Sequence, residues 1–283
     1  MLDRKATSLD SKIALVTGSG GGIGRAIAET FAAHGASVVV VDKREAAARE
    51  VAEAIEKRGG KALAVPVDVT TAAGIEQMTK AAFARFEKVD ILVNNVGHFM
   101  PGAGPFLRTT EADWEGLYEI NLKHILRATR ALAPAMVERR SGCIINISTI
   151  ETFRGIPGNV IYSTFKTGIT AFTRSFALEV APFGVRVNAI APETTDTDQV
   201  PVHRWIPAEY VSKVPLMIPL GRFGKPDDHA GVALFLASDL ASWVTGITVP
   251  VDGGAISAAG FYRLADGSWT NAPIVADAGI KPR

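Results

Sequence analysis

The stretch that decides the fold runs from Ile13 to Gly24 and reads IALVTGSGGGIG. Its first four residues are continuously apolar, which is typical of a strand covered on both faces. A glycine cluster follows. A helical apolar pattern then begins near Ile23 and ends at Gly35, a usual position for glycine just beyond a helix. Strand, glycine-rich turn and helix in this order predict the first unit of a parallel α/β sheet.

The same alternation continues almost to the C-terminus. Apolar, β-branched runs predict further strands at 37–41, 62–67, 90–93, 142–147, 185–190 and 246–251. Helical patterns between them lie at 45–58, 71–87, 110–137, 159–181 and 227–237. Because such alternation builds right-handed strand–helix–strand units, we expect a Rossmann-type, doubly wound α/β fold: a seven-stranded parallel sheet with helices on both faces.

The unbroken series also predicts the domain organisation. We expect a single domain over residues 1–283 with its core at 10–254. A proline-containing excursion at 193–220 is the expected substrate loop. Residues 255–283, which include Tyr262 and Trp269, form a C-terminal extension that we expect to cover a pocket or a neighbouring subunit; disorder is the alternative.

Composition excludes several classes of partner. Thirty basic and 29 acidic side chains leave a formal charge of +1, so we expect neither a nucleic acid nor a membrane as partner. The lone Cys143 and five scattered histidines show no metal-ligand spacing. The N-terminus has no apolar core of a signal peptide, and no apolar run approaches the ~18 residues of a spanning helix. We therefore expect a cytoplasmic, metal-free protein.

The glycine cluster is suited to a phosphate. A phosphate can approach the backbone closely only where side chains are absent, and the free N–H groups at a helix start favour an anion. We expect Gly18, Gly22 and Gly24 to bind a pyrophosphate. A flexible turn without a ligand is the alternative, but the strand before and the helix after favour a dinucleotide site.

Asp42 ends the second predicted strand, 18 residues after Gly24. A carboxylate there accepts hydrogen bonds from the ribose hydroxyls of an adenosine and repels a 2′-phosphate. Charge-assisted hydrogen bonds of about 1.5–3 kcal/mol correspond to a roughly 10- to 150-fold preference for the unphosphorylated ribose. Lys43 and Arg44 favour the opposite choice, because basic groups attract the phosphate. We expect NAD as the cofactor, with NADP less favoured.

Further motifs make the chain resemble the classical short-chain dehydrogenase/reductase family over about residues 10–254. The TGxxxGxG pattern stands at 17–24, and the family's NNAG stands at 94–97 with Val in place of Ala. The YxxxK motif is Tyr-Ser-Thr-Phe-Lys at 162–166, and Val-Asp-Gly-Gly at 251–254 matches the usual close. YxxxK alone is common by chance, whereas all of these motifs in this order are specific.

The resemblance implies an oxidoreductase that interconverts a secondary alcohol and a ketone by hydride transfer. Tyr162 is implied as the general acid/base. Lys166 lies four residues later on the same helix face, and its ammonium is expected to lower the pKa of the tyrosine towards the working pH. Asn121 is implied to hold a water between Lys166 and solvent; the alternative is a helix-interior Asn bonded to nearby backbone. The expected cofactor-binding residues are Gly18, Gly22, Ile23, Gly24, Asp42, Asp68, Val69, Asn95, Gly97, Tyr162, Lys166, Thr195 and Thr197.

A hydroxyl that fixes the substrate oxygen is expected from Ser148 or Thr149 at the end of the fifth strand. Successive side chains of a strand point to opposite faces, so only one is expected to reach the site. In the family a serine commonly precedes the tyrosine by 13 residues, which here selects Thr149, with Ser148 as the alternative. After the sixth strand the family commonly has Pro-Gly, but this chain has Pro192-Glu193. Since Glu lacks glycine's freedom at positive φ, the loop path is expected to differ. We expect the Glu193 carboxylate to be solvated, and a carboxylate that faces the substrate is the alternative.

Substrate identity is expected to lie in the loops. His98, Phe99 and Met100, residues 151–154, and Trp205 favour an apolar or cyclic alcohol or ketone; packing within the domain is their alternative role. No basic cluster stands out for a coenzyme A or carrier-protein arm.

The sequence is also compatible with two other functions and with a homo-oligomeric assembly. An NADPH-dependent ketoreductase, including 3-oxoacyl-type substrates, is the main alternative function. A non-catalytic dinucleotide-binding protein is disfavoured because Tyr162 and Lys166 are both present. The family resemblance implies a homo-oligomer, a tetramer or dimer, formed through the helices at 110–137 and 159–181 and the last strand.

Overall fold

The computed structural model describes residues 4–100, 102–258, 262–263, 267 and 269–270. Seven parallel strands form its main sheet: β1 (Ile13–Thr17), β2 (Ser37–Val41), β3 (Lys61–Val65), β4 (Ile91–Asn94), β5 (Gly142–Ile147), β6 (Val185–Pro192) and β7 (Thr248–Val251). Their order is β3-β2-β1-β4-β5-β6-β7. Because the chain moves outward from β1 first in one direction and then in the other, a crevice opens between β1 and β4 at their carboxyl ends.

Helices cover both faces of the sheet. They are α1 (Gly22–Ala33), α2 (Glu45–Lys57), α3 (Ala72–Phe86), α4 (Glu111–Tyr118), α5 (His124–Glu138), α6 (Val160–Val180), α7 (Val202–Trp205), α8 (Ala208–Val211), α9 (Val214–Met217) and α10 (Pro226–Ala237). The predicted fold class and the seven predicted strands are confirmed. The predicted helix at 110–137 is interrupted, because a π-helical turn at Glu119–Lys123 separates α4 from α5.

Alternation along the strands divides the core into two layers. Val16 of β1 packs with Phe31 of α1 and with α2 and α10 on one face. Leu15, its neighbour, packs on the other face with Met78 of α3 and with α5 and α6. Strands buried on both faces read as continuous apolar runs, which is why the sequence located them.

A chain of polar side chains crosses the apolar centre of the sheet. Asn94 and Asn146 are register partners on β4 and β5, and both are fully buried. The Asn94 amide donates to the Asn146 Oδ1 over 2.9 Å, and the Asn146 amide donates to Thr173 of α6 over 3.0 Å. These bonds fix two strands and one helix immediately before the loops that form the site.

The predicted loop and extension contain secondary structure of their own. The excursion at 193–220 holds the short helices α7, α8 and α9. Two short antiparallel strands, β8 (Tyr262–Arg263) and β9 (Trp269–Thr270), lie in the predicted extension. Most of 259–283 lies outside the described residues, so the expected covering role of this extension stays a prediction.

Candidate active site

The carboxyl ends of the strands open into a cavity of about 760 Å³. The predicted site residues that line it are Gly18, Gly22, Ile23, Asp42, Asp68, Val69, Asn95, Gly97, Ser148, Thr149, Tyr162, Lys166, Thr195 and Thr197. Gly24 and Asn121 are the two predicted site residues outside this lining. The cavity therefore brings together residues from most of the chain length.

The turn after β1 is shaped by its glycines and held by Asn95. Gly18 and Gly22 adopt φ values of 64° and 53°, a region that other L-residues rarely occupy. The Asn95 amide donates to the carbonyls of Thr17 and Gly18, each over 3.1 Å. A Cβ at Gly24 would collide with the Gly18 carbonyl oxygen, so Gly24 permits the helix start to pack on the turn.

Asp42 lies at the end of the cavity formed by β2. Its side chain is 7% exposed and accepts hydrogen bonds from the N–H groups of Gly20 and Arg44 over 3.0 and 2.9 Å. The Arg44 guanidinium also contacts it, with Nε 3.1 Å from Oδ1. Burial would raise the pKa of Asp42, but the bonds from Arg44 outweigh it and hold that pKa below its ordinary value. The nearest basic group is thus paired with the carboxylate.

The two adjacent hydroxyls after β5 have different partners. The Ser148 hydroxyl turns into the protein and donates to the Lys166 carbonyl over 3.0 Å. The Thr149 hydroxyl lines the cavity beside Tyr162 and is near enough to the phenol to lower its pKa. Of the two candidates, Thr149 is the one that the structure brings to the tyrosine.

The pKa values of the Tyr–Lys pair differ from the expectation. Burial raises the pKa of Tyr162 to about 12, although the nearby Thr149 hydroxyl lowers it. Burial lowers the pKa of Lys166 to about 8. The Lys166 Nζ is 5.8 Å from the centre of the Tyr162 ring and donates to the Ile147 carbonyl over 3.1 Å. In the protein without a ligand, the rise in the Tyr162 pKa caused by desolvation is therefore larger than the lowering expected from the Lys166 ammonium.

Asn121 lies in the π-helical turn and is fully buried. Its amide donates to the carbonyls of His98 and Leu117 over 2.8 and 3.0 Å, and its Oδ1 accepts from the His98 N–H over 3.1 Å. These are backbone partners, which was the alternative to the catalytic role. A Cβ at Gly97 would lie 2.6 Å from the Lys166 Nζ and 3.1 Å from the Asn121 Oδ1. Asn121 thus fixes the loop beside the lysine, and its water-holding role stays a prediction.

The loop after β6 reaches across the cavity to the glycine turn. The space that a Cβ at Gly22 would fill lies 3.4 Å from the Thr197 methyl group, and Gln199 donates to the Gly97 carbonyl over 3.3 Å. Thr195 is buried, donating to the Glu193 carbonyl over 2.8 Å and lying 2.7 Å from the Nε2 of His229. This loop closes one side of the cavity.

Glu193 is not solvated, contrary to the expectation. Its side chain is 5% exposed, lines the cavity, and pairs with Arg154 over 2.9 Å. Its Oε1 accepts from the N–H and hydroxyl of Thr194 over 2.7 and 2.8 Å. Glu193 has no positive φ, so its position requires no glycine. The sequence signal that points to Glu193 is a charged residue at the carboxyl end of a central strand.

The expected substrate loops contribute unequally. His98, Phe99 and Glu151 line the cavity, whereas Met100 is 49% exposed and does not. Ile156 adds apolar surface that sequence reasoning did not single out, and Val200 adds more from the expected substrate loop at 193–220. The side chain of Trp205 lies outside what the structure describes.

The described residues contain no group of three or more His, Cys, Asp or Glu arranged to hold a metal ion. No helix within them combines the length and apolar character required to cross a bilayer.

This sheet order, with a Tyr–Lys pair facing a glycine turn across one cavity, defines an oxidoreductase that uses a nicotinamide dinucleotide. Residues 18–256 match the family model described as "Enoyl-(Acyl carrier protein) reductase". The chain is 41% identical over 247 residues to 3-oxoacyl-[acyl-carrier-protein] reductase FabG of Aquifex aeolicus, covering 87% of this chain and 98% of that protein. It is 36% identical to the corresponding FabG of Escherichia coli K12, with the same coverage. The chain belongs to the short-chain dehydrogenase/reductase family, as its motifs predicted.

Solved structures agree with this assignment. A 7α-hydroxysteroid dehydrogenase complexed with NADH and 7-oxo glycochenodeoxycholic acid superimposes with a TM-score of 0.85 at 36% identity, covering 90% of this chain and 98% of that chain. A hydroxysteroid dehydrogenase from Escherichia coli gives a TM-score of 0.80 at 35% identity, covering 90% and 100%. The relatives share the fold and oxidoreductase chemistry, but their names refer to different substrates.

Proposed function

We propose that the protein is an NAD-dependent oxidoreductase that interconverts a secondary alcohol and a ketone. One observation carries the proposal: a single cavity contains Asp42 at one side and the Thr149–Tyr162–Lys166 group at the other. The similar 7α-hydroxysteroid dehydrogenase, complexed with NADH and a 7-oxo compound, supports this combination of cofactor and substrate.

The residues fit a dinucleotide along the length of the cavity. The positive-φ glycines 18 and 22 leave the turn without side chains where a pyrophosphate would lie. Asp42 is proposed to accept from the ribose hydroxyls in exchange for its present hydrogen bonds from the Arg44 guanidinium. Asp68 and Val69, which line the same cavity, are proposed to lie beside the adenine. When bound, the nicotinamide supplies or accepts the hydride. Gly97, Thr195 and Thr197 are proposed to line its position.

Tyr162 is proposed to exchange a proton with the substrate oxygen. Thr149, whose hydroxyl is near enough to the phenol to lower its pKa, would hold that oxygen within reach. Lys166 would bind the nicotinamide ribose and offset part of the rise that burial causes in the Tyr162 pKa. Asn121 positions the backbone of the 97–98 loop next to that lysine.

Cofactor choice depends on Asp42 and Arg44. In an NAD enzyme the carboxylate accepts from both ribose hydroxyls, and its pairing with Arg44 leaves less positive charge for a 2′-phosphate. The second candidate function is an NADPH-dependent reductase of 3-oxoacyl-type substrates. The names of the relatives from Aquifex aeolicus and Escherichia coli favour it, as does the presence of Lys43 and Arg44 in the cavity lining.

Fluorescence titration with NADH and NADPH distinguishes the two functions. The wild type should bind NADH roughly 10- to 150-fold more tightly, and Asp42→Ser should remove most of this preference. Arg44→Ala should leave NADH binding largely intact and weaken NADPH binding further. Tighter binding of NADPH by the wild type, lost in Arg44→Ala, would instead establish the second function.

We further propose a cyclic organic substrate and a homo-oligomer. Phe99 and Ile156 offer apolar surface beside the catalytic group.

Leu178 on α6 is 76% exposed, and Trp243, which precedes β7, is 99% exposed. The helix α6 and the last strand are the elements expected at subunit contacts. Native mass spectrometry tests the assembly. A single domain over 1–283 and a cytoplasmic location stay predictions, of which limited proteolysis tests the first.

A further inference from the structure

An ionic bridge spans two loops beside the catalytic group. Arg154 donates to both oxygens of Glu151, over 3.0 Å from Nη2 and 3.2 Å from Nε. The same Nη2 donates to Glu193 over 2.9 Å. We call these three residues the acidic bridge. It joins the loop after β5 to the loop after β6, across 39 residues of sequence.

The bridge presents its two carboxylates to the cavity of the candidate active site. Glu151 and Glu193 line the same cavity as Tyr162, whereas Arg154 does not. Their side chains are 11% and 5% exposed. After burial, the nearby Glu151 charge is a further cause that raises the pKa of Tyr162, so this carboxylate is electrostatically coupled to the phenol. Two carboxylates against one guanidinium leave one negative charge in excess.

The cations of the cavity lie elsewhere. Among the described lining residues they are Lys43, Arg44 and Lys166. The first two follow β2, with Arg44 paired to Asp42. Lys166 is buried and bonded to the Ile147 carbonyl, and burial lowers the pKa of His98. In the described part of the cavity near Tyr162, two carboxylates are therefore present, but no cation is available to pair with an anionic group of a substrate.

We propose that the acidic bridge selects secondary alcohols and ketones that carry an additional hydrogen-bond donor, a hydroxyl or an ammonium group, and rejects those that carry an anionic group. This rests on the proposed alcohol–ketone function of the same site. Each carboxylate oxygen of the bridge already accepts from Arg154 or Thr194. The Glu193 Oε1 also accepts from the Thr194 hydroxyl, whereas both Glu151 oxygens and the Glu193 Oε2 keep a second lone pair that a substrate donor can use. Like charges brought together in a desolvated site are strongly unfavourable, so a substrate carboxylate beside the bridge weakens binding.

The apolar side of the cavity restricts the substrate further. Phe99 lies edge-on to Tyr162 with ring centres 6.4 Å apart, and Ile156 lines the same region. A carbon ring can pack on these residues while its donor faces the bridge. The substrate class is thus an alicyclic alcohol that is apolar on one side and donates hydrogen bonds on the other.

A matched set of cyclohexanols tests the proposal. Cyclohexanol, 1,3-cyclohexanediol, 3-aminocyclohexanol and 3-hydroxycyclohexanecarboxylate share a ring and differ in one substituent. kcat/KM with NAD is measured for the wild type, Glu193→Gln and Glu151→Gln, with the exposed Glu76→Gln of α3 as control. The diol and amine arms distinguish a hydroxyl donor from an ammonium donor. Thermal unfolding and NADH titration establish that each variant is folded.

For the wild type, we expect kcat/KM for the diol, the amine or both to be about tenfold or more higher than for cyclohexanol. For the carboxylate, we expect kcat/KM to be about tenfold lower than for cyclohexanol. Either bridge variant should reduce both differences several-fold, while Glu76→Gln should not. If cyclohexanol is oxidised but all four substrates are used equally, or the carboxylate is preferred, the inference is wrong and the proposed function stands. If no substrate is oxidised although NADH binds, both fail. Should one bridge variant unfold, the other, together with the wild-type ranking, still decides.

Discussion

The two hydroxyls after β5 allow a sharp test of the catalytic group. The change is Thr149→Ala, compared with Ser148→Ala one residue earlier. The Thr149 hydroxyl is near enough to the Tyr162 phenol to lower its pKa, and Ser148 donates to the Lys166 carbonyl over 3.0 Å. Both side chains are almost fully buried, at 8% and 4% exposure, so the two substitutions remove the same chemical group from similar environments.

The expected losses differ in kind. A donor held at the position where negative charge develops contributes about 10²- to 10³-fold to kcat, so Thr149→Ala should lose that much with NADH binding intact. Ser148→Ala removes one buried neutral hydrogen bond, which costs about 1 kcal/mol of unfolding free energy and should change kcat only a few-fold. Thr149→Ser retains the hydroxyl and should retain most activity.

The assay is steady-state turnover at saturating NAD and alcohol, with urea unfolding in parallel. Thr149→Val is nearly isosteric and separates loss of the hydroxyl from loss of volume; it should resemble Thr149→Ala in kcat. A larger loss of kcat in Ser148→Ala than in Thr149→Ala would refute the assignment of the substrate-fixing hydroxyl.

Three further predictions concern the tyrosine, the lysine and the glycine turn. Tyr162→Phe should lower kcat by about 10²- to 10⁴-fold without weakening NADH binding, whereas Tyr118→Phe on α4 should not; equal activity of both variants would contradict the proposed acid/base. Burial lowers the pKa of Lys166 from 10.5 to about 8, so the folded state is stabilised as pH rises through about 8 and loses this contribution as pH falls. Relative to Lys166→Met, the wild type without cofactor should therefore gain roughly 2 kcal/mol of unfolding free energy between pH 7 and about 9.5, as measured by urea unfolding. The substitution Lys80→Met, at an exposed lysine, is the control. If the wild type gains no stability relative to Lys166→Met, Lys166 is solvated. Gly24→Ala places a Cβ against the Gly18 carbonyl and 2.6 Å from the Asn95 amide, which should cost roughly 1–3 kcal/mol of stability and weaken NADH binding. Gly231→Ala in α10 meets nothing within 4 Å and should be neutral or stabilising by up to about 1 kcal/mol, so equal effects would argue against the close packing of the turn.

The fold was accessible from the sequence because local and global signals agree. Strands such as Ser37–Val41 are covered on both faces, and their continuous apolar runs differ clearly from the spaced pattern of the helices. The observed strand ends lie within two residues of the predicted ones. The π-helical turn at Glu119–Lys123 escaped prediction because its residues have no composition that separates them from an ordinary helix.

The site was accessible where motifs fix residues at short range, and less so where distant loops meet. The spacing to Tyr162 selected Thr149, which the structure brings to the phenol. The burial of Glu193 was missed because it depends on Arg154, which is 39 residues away and approaches only after the sheet forms. The pKa direction of Tyr162 was wrong because desolvation depends on the full packing around the phenol, whereas the sequence showed only the nearby cation.

The amides of Asn94 and Asn146 have a consequence for assembly of the enzyme. The chain enters the loop at 95–97 directly after Asn94 and reaches Thr149 three residues after Asn146, so the pairing of these two amides fixes where the loop after β4 and the Thr149 hydroxyl lie relative to each other. A one-residue shift between β4 and β5 would turn an amide toward hydrocarbon without a partner, at a cost of about 1–3 kcal/mol or more. Misaligned strands are therefore destabilised in the core even without a ligand. The alignment of β4 and β5 thereby sets the spacing of the proposed site residues that follow these strands.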